Sequence, residues 1–256
     1  MKLSVCIDAV FRGTDSAEAM RQTREAGIGA VEFWSWWDKD LDAIRKAKDE
    51  HGLEVAAFCT KFVTLLDPEA RGDYIRGLKE SIEAAGRLGC KRLITQTGAD
   101  RRGVERAVQT QHMIDGLREC APLLEASGIT LLVEPLNTAV NHPGYFLSSS
   151  EETFALLREV GSPNVKALYD VYHQQITEGD LIRRMTANLP LIGHFHAAGH
   201  PGRHELHIGE INYPYVFKAL REAGYGGYVG LEYFGVGEPA AGLAQAAEFI
   251  GERQTW

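Results

Sequence analysis

M-I-D-G-L-R-E-C-A-P-L-L-E-A-S-G-I-T-L-L-V-E-P-L-N, residues 113–137, holds one complete passage from a helix to a strand. Met113, Leu117, Cys120 and Leu124 recur at helical spacing and mark one apolar stripe. Gly128 follows, the residue type for which a left-handed helix end costs least. Residues 130–134 are then a short apolar run closed by a carboxylate, Glu134. The same succession is found on both sides of this stretch. Strand candidates fall at residues 3–8, 30–34, 54–59, 92–96, 130–134, 165–170, 191–196 and 228–233. Most are continuous apolar runs, as parallel strands covered on their outer face by helices require.

The intervening segments carry helical stripes: Leu41 and Ile44; Tyr74, Leu78, Ile82 and Ala85; Leu181, Ile182, Met185 and Leu189; Tyr213, Val216, Phe217 and Leu220. Asp15 with Glu18 and Ser149 with Glu152 have capping-box spacing, and Asp67-Pro68 reads as an N-cap followed by proline. Gly27, Gly52, Gly89, Gly128, Gly161 and Gly224 stand where helices should stop. Eight β-then-α units in about 250 residues predict a (β/α)₈ TIM barrel. An open doubly wound sheet favours a glycine-rich turn after its first strand. Here that turn reads A-V-F-R-G-T, and neither G-x-G-x-x-G nor a Walker motif occurs. No linker or composition shift divides the chain, so a single domain over residues 1–256 is expected.

The chain has 27 Lys and Arg against 35 Asp and Glu, a formal net charge of −8, with no basic block. That balance disfavours a nucleic-acid partner and leaves any anionic substrate dependent on local positive charge. Cys6, Cys59, Cys90 and Cys120 form no C-x-x-C pair, which suits reduced thiols rather than a disulfide framework or a zinc finger. The first apolar run meets Asp8 too soon for a signal peptide, and no run approaches a membrane span. A cytoplasmic protein with no membrane partner is expected.

Function in such a barrel sits at the C-terminal ends of the strands. The fifth ends V-E-P-L-N, the sixth Y-D-V-Y-H, the seventh G-H-F-H and the eighth G-L-E-Y. Four consecutive strands thus terminate in Glu134, Asp170, His196 and Glu232. Alternation puts His194 and His196 on one side of their strand and Phe195 on the other. Three carboxylates converging on one mouth repel and raise each other's pKa unless a positive charge sits among them. A divalent cation held by three carboxylates and one imidazole resolves this. The mixed oxygen and nitrogen set suits Mn²⁺ or Mg²⁺, and accommodates Co²⁺, rather than a thiolate-type zinc site.

These motifs, together with the loop H-P-G-R-H-E and the segment G-E-I-N-Y, resemble the hydroxypyruvate isomerase branch of the xylose isomerase-like TIM barrels. The resemblance covers essentially the whole chain and is most specific from Glu134 to Tyr233. It implies that Glu134, Asp170, His196 and Glu232 are the metal ligands and that Glu134 and Glu232 are the acid/base pair. It further implies that His173 and Arg203 bind the substrate. The expected reaction converts hydroxypyruvate to tartronate semialdehyde through an enediolate. Metal chelation of an α-hydroxycarbonyl acidifies the C–H between its oxygens, one carboxylate removes that proton, and a carboxyl group returns one to the neighbouring carbon. Arg203 is suited to the substrate carboxylate, with an ion pair to Glu205 or Glu210 as its structural alternative.

Two departures bear on the substrate. Typical hydroxypyruvate isomerases often carry Gln where this chain has His196, whereas the epimerases carry His. An acid that some ketose 3-epimerases of the superfamily place after the fifth-strand Glu is Val140 here. A ketose 3-epimerase or other sugar isomerase using the same site is the alternative reading. An abasic-DNA endonuclease of the same superfamily, disfavoured by the charge, and a non-enzymatic sugar-binding barrel stand further off. Glu32 is open between a carboxylate supporting the site and a structural pair, and Gln96 between the mouth and a strand cap. Trp34, Trp36 and Trp37 are open between pocket wall, helix packing and the face of a homo-oligomer. His200, His204 and His207 read mostly as solvated loop residues.

Overall fold

The computed structural model describes residues 1–251; residues 252–256 of the expected domain lie outside the described residues. Eight parallel strands close on themselves in sequence order: β1 (Lys2–Cys6), β2 (Ala30–Phe33), β3 (Glu54–Cys59), β4 (Arg92–Thr95), β5 (Thr130–Val133), β6 (Val165–Asp170), β7 (Ile192–Ala197) and β8 (Tyr228–Leu231). The barrel closes where β1 pairs with β8, Leu3 opposite Val229 and Val5 opposite Leu231. The fold is the (β/α)₈ barrel that the succession of runs and stripes implies.

Around it lie α1 (Ile7–Val10), α2 (Ser16–Glu25), α3 (Leu41–His51), α4 (Arg71–Leu88), α5 (Arg106–Ser127), α6 (Ser150–Val160), α7 (Val171–Thr177), α8 (Leu181–Ala187), α9 (Tyr213–Glu222) and α10 (Pro239–Ile250). The Met113, Leu117, Cys120 and Leu124 stripe of α5 is wholly buried against the barrel. Each such large apolar side chain contributes about 1.5–3 kcal/mol on leaving water. The caps form as their residue types dictate. Asp15 accepts from the amides of Ala17 and Glu18, Ser149 from that of Glu152, and Asn212 from that of Tyr215 at the start of α9. The six helix-ending glycines all have positive φ, from 61° at Gly52 to 82° at Gly224.

Several boundaries shift by a residue or two from the sequence reading, and three differences have a local cause. The first strand stops at Cys6, and Ile7 and Asp8 enter α1 instead. After β6 the chain turns straight into α7, because the Asp170 carboxylate accepts from the amides of Tyr172 and His173 and caps it. Leu189 is not on the last turn of α8 but in a short 3₁₀ turn with Pro190 and Leu191. Proline cannot continue the α-helical ladder, so β7 starts at Ile192.

Inside the barrel the wall is of two kinds. Strands β3 to β6 contribute Ala57, Cys59, Ile94, Leu132 and Leu168, an apolar cluster of the usual sort. Strands β1, β2 and β7 contribute Ser4, Glu32, His194 and His196, all buried and polar. Phe195, on the opposite side of β7, packs outward against Tyr169 and Tyr225 with ring centroids 5.8 and 4.8 Å away. The alternation expected along this strand therefore holds.

Candidate active site

The first residues beyond β5 and β8 are Glu134 and Glu232, Asp170 is the last of β6, and His196 is the penultimate residue of β7. The barrel brings these four together. One ligand atom from each lies within 4.8 Å of the others, and all four side chains are buried. His196 Nδ1 stands 3.1 Å from Glu232 Oε2 and 3.7 Å from Glu134 Oε1, yet it makes no hydrogen bond to either. Asp170 divides its oxygens. Oδ1 caps α7, while Oδ2 faces His173 Nε2 and Arg203 Nη2, each at 3.5 Å.

Arg203 does not pair with Glu205 or Glu210. Its Nη2 donates to Glu232 Oε2, and its guanidinium lies over the rings of Tyr172 and Phe234, 5.3 and 5.7 Å from their centroids. Its Nε is buried and carries no partner. The backbone of Arg203 is left-handed, φ 59°, a conformation that costs a non-glycine residue on the order of 1 kcal/mol or more. The surrounding loop enforces it. Gly199 and Gly209 approach backbone oxygens so closely that an added Cβ would fall 2.1 and 2.0 Å from those of Ile208 and His200. Glu205 serves the loop itself, accepting from the amides of Val236 and Gly237.

His173 has its tautomer set by its neighbours. The Asn137 Oδ1 accepts from the amides of Val140 and Asn141, so the Asn137 amide nitrogen faces the imidazole. Asn137 Nδ2 and its backbone N–H both donate to His173 Nδ1, at 2.6 and 3.2 Å. The ring proton therefore resides on Nε2, which points into the site without a hydrogen-bond partner. Burial, assisted by Arg203 and opposed by Asp170, pushes the pKa of His173 down to about 4 and keeps it neutral.

The two glutamates differ in charge environment. Burial raises Glu134 to about 7, with Glu232 and Asp170 adding to the rise against the pull of His196. Burial also works against the Glu232 anion, but Arg203, His196 and the Trp34 indole hold it well below the usual carboxylate range. His196 is buried too, and Glu232, Glu134 and Glu32 nonetheless raise it well above an ordinary imidazole. With His196 neutral, as a ligating imidazole must be, the four carboxylates Glu32, Glu134, Asp170 and Glu232 face one cation, Arg203, an excess of three negative charges. An orphaned imidazole nitrogen among three carboxylates with that excess fits a divalent cation, and the cluster can hold one.

Above the four lies a cavity of about 450 Å³ whose walls include His142, His173, Arg203, Phe62, Leu136 and Phe234. The three tryptophans divide. Trp34 lines this cavity and donates Nε1 to Glu232 Oε1 at 2.5 Å. Trp36 packs into the helix ring through Ser81, 3.0 Å away. Trp37 stands edge-on to the exposed Phe62. Gln96 reaches the mouth, where its amide approaches Cys59 Sγ at 3.7 Å. Glu32 binds His194 and His196. His200 approaches Glu210 at 3.7 Å and His204 donates to the Phe234 carbonyl, neither of them lining the cavity. His142, Phe62 and Phe234 escape a sequence reading, since nothing in their spacing marks them.

Residues 20–253 match the family model described as xylose isomerase-like TIM barrel. A 2-oxo-tetronate isomerase of Cupriavidus necator is 33% identical over 234 residues, 88% of this chain and 89% of that protein. The hydroxypyruvate isomerase of Escherichia coli is 30% identical over 242 residues, 91% of this chain and 93% of that one. The crystal structure of an AP endonuclease, family 2, from Brucella melitensis superposes with a TM-score of 0.92 at 33% identity, covering 96% and 98% of the two chains. The chain belongs to the xylose isomerase-like TIM barrel family. Its similarity to hydroxypyruvate and 2-oxo-tetronate isomerases places it on the isomerase side of that family, and it is an isomerase. Among the described residues no helix is long and apolar enough to cross a membrane.

Proposed function

We propose that the chain is a divalent-metal-dependent isomerase of small 2-oxo-3-hydroxy acids, interconverting hydroxypyruvate and tartronate semialdehyde. One observation carries the reading: Glu134, Asp170, His196 and Glu232 converge within 4.8 Å of one another beneath a cavity flanked by His173 and Arg203. When bound there, Mn²⁺ or Mg²⁺ (Co²⁺ also suits the donors) supplies a Lewis acid that acidifies the substrate C–H and stabilises charge developing on its oxygens.

The chain's own residues divide the remaining work. Glu134, free of the arginine, is the base that takes the proton from C3 of hydroxypyruvate to give the enediolate. Glu232, on the same mouth and ionised at rest, is its partner: it takes up the proton of the C3 hydroxyl and delivers it to C2, while Glu134 passes its proton to the C2 oxygen. The carbonyl thereby moves from C2 to C3 and the hydroxyl from C3 to C2, and both glutamates return to their starting states. The unpartnered Nε of Arg203 gives the substrate carboxylate a charge-assisted donor. His173 donates from Nε2 to a substrate oxygen. The cavity also has room for a four-carbon homologue, which the name of the Cupriavidus relative favours.

The ketose 3-epimerase reading is weaker, because Val140 puts an exposed valine where an acid would be wanted. The name of the Brucella relative has less support still. A chain of net charge −8 with acids at its mouth offers no track for phosphates. The test is to incubate the Mn²⁺-loaded chain in D₂O with hydroxypyruvate, 2-oxo-tetronate and free ketoses in separate reactions. Deuterium at C2 of tartronate semialdehyde is expected. Exchange confined to C3 of a ketose, with both acids untouched, overturns the proposal. Absence of any exchange, with ligand affinity unchanged in Glu134→Gln, would favour a binding barrel.

A further inference from the structure

A carboxylate buried inside a barrel is costly unless it is fully paired, and the fold does not require one. Strands β3 to β6 fill the same interior with Ala57, Cys59, Ile94, Leu132 and Leu168. Glu32 is nevertheless there, fully enclosed, with both oxygens committed. Oε1 takes His194 Nε2 at 2.9 Å together with the Ser4 hydroxyl. Oε2 takes His196 Nε2, also at 2.9 Å.

The protonation pattern follows from the partners. Each Glu32 oxygen stands 2.9 Å from an imidazole nitrogen, and of the two partners the ring N–H is the donor and the carboxylate oxygen the acceptor. Both Nε2 atoms must then be donors. For His196 this leaves Nδ1 on the other side of the ring, facing Glu134 and Glu232. Space for the contact is reserved by Gly230 on β8. A Cβ there would lie 2.6 Å from Glu32 Oε1 and 2.7 Å from His196 Cδ2. The trio Glu32, His194 and His196 is itself compact enough to surround an ion. Its two nitrogens are already engaged as donors to the one carboxylate, however, and a ligand nitrogen must be free of its proton.

We infer that Glu32 is a positioning residue for the metal centre: held by Ser4 and His194, it fixes the ring of His196 through Nε2 and so presents Nδ1 to the cation. The inference rests on the metal reading of the mouth given above. It assigns the polar half of the barrel interior a purpose that packing alone does not explain. A carboxylate behind a ligating imidazole sets the tautomer, locks the ring plane and raises ligand basicity, and its removal typically costs about 10–100-fold in metal affinity. Glutamine at position 32 can accept from only one of the two imidazoles. Where its amide nitrogen meets His196, the ring proton must shift to Nδ1 and block the ligand position.

The experiment is a Mn²⁺ titration of the full chain followed by electron paramagnetic resonance, which reads free and bound ion separately, with urea unfolding of the metal-free protein in parallel. Wild type is expected to bind one Mn²⁺. Glu32→Gln should raise Kd about 10–100-fold and alter the line shape of the bound ion. Glu32→Asp should recover part of the affinity, and Ser4→Ala, which removes the hydroxyl that donates to Glu32, should weaken binding by a smaller factor. Unchanged Mn²⁺ affinity and line shape in Glu32→Gln, with only urea stability lowered, overturns the positioning role and leaves the metal reading standing. Should Glu32→Gln not fold, unchanged affinity in Ser4→Ala is the overturning result. A wild-type chain that binds no Mn²⁺ sinks the metal reading itself, and this inference with it.

Discussion

Arg203 donates its Nη2 to Oε2 of Glu232, 29 residues further along the chain, and not to the nearer acids of its own loop. This bond ties the loop after β7 to the end of β8, and the Phe234 amide donating to the Arg203 carbonyl at 2.7 Å closes the tie from the other side. It also separates the two glutamates of the mouth. Glu232 is held by a guanidinium and an indole, whereas Glu134 faces the imidazole of His196 at 3.7 Å.

Arg203→Lys should therefore be far from conservative. Lysine keeps the charge but loses the planar donor fork and the stacking between Tyr172 and Phe234. A fall in kcat/KM of about 100-fold is expected, on the scale of a lost charge-assisted bond of about 1.5–3 kcal/mol. Steady-state kinetics on hydroxypyruvate check it, and an unchanged kcat/KM would remove Arg203 from substrate binding.

Glu134→Gln and Glu232→Gln should each lower kcat by about 10²–10⁴-fold, the usual contribution of a positioned acid or base. The two variants should differ in deuterium exchange. With Glu134 as the base, Glu134→Gln abolishes washout of the C3 hydrogen of hydroxypyruvate, while Glu232→Gln retains some of it. The reverse pattern, read by NMR in D₂O, would exchange their roles.

Chelation by EDTA should abolish turnover, and Mn²⁺ should restore it. Binding also stabilises the fold by mass action, about 2.7 kcal/mol at a hundred times Kd. At about 2–4 °C per kcal/mol for a chain of this size, Tm should rise by roughly 5–10 °C. Scanning calorimetry with and without Mn²⁺ measures this directly, and Glu134→Gln should show a smaller rise than wild type.

Gly230→Ala places a methyl group in the space between Glu32 and His196. Overpacking of about 1–3 kcal/mol is expected in urea unfolding. Gly226→Ala, where an added Cβ meets nothing within 4 Å, is the control. If both alanines cost the same, the interior network is slacker than its 2.9 Å hydrogen bonds imply.

Much of the architecture was legible in the chain because its signals are local. The Met113–Leu124 stripe, Gly128 and the run from Thr130 to Val133 are each read within a few residues. The three acids and the imidazole closing four successive runs follow from the same reading, since parallel strands of one barrel end on one face. Boundaries were less legible where two local preferences competed. Asp170 ends a strand and caps a helix at once, and Pro190 delays β7 by one residue.

By itself, then, the sequence determined the barrel, its eight strands and the acids and imidazole at four neighbouring strand ends. Only the tertiary structure decided that Arg203 turns to Glu232, that Trp34 enters the mouth while Trp36 leaves it, and that Asn137 sets the tautomer of His173. It alone joined Glu32 to His196 across 164 residues. The physical reason is the range of the interactions. Helix stripes, caps and strand runs are set by neighbours along the chain, whereas the aim of a buried polar side chain is set by which distant donor or acceptor can satisfy it.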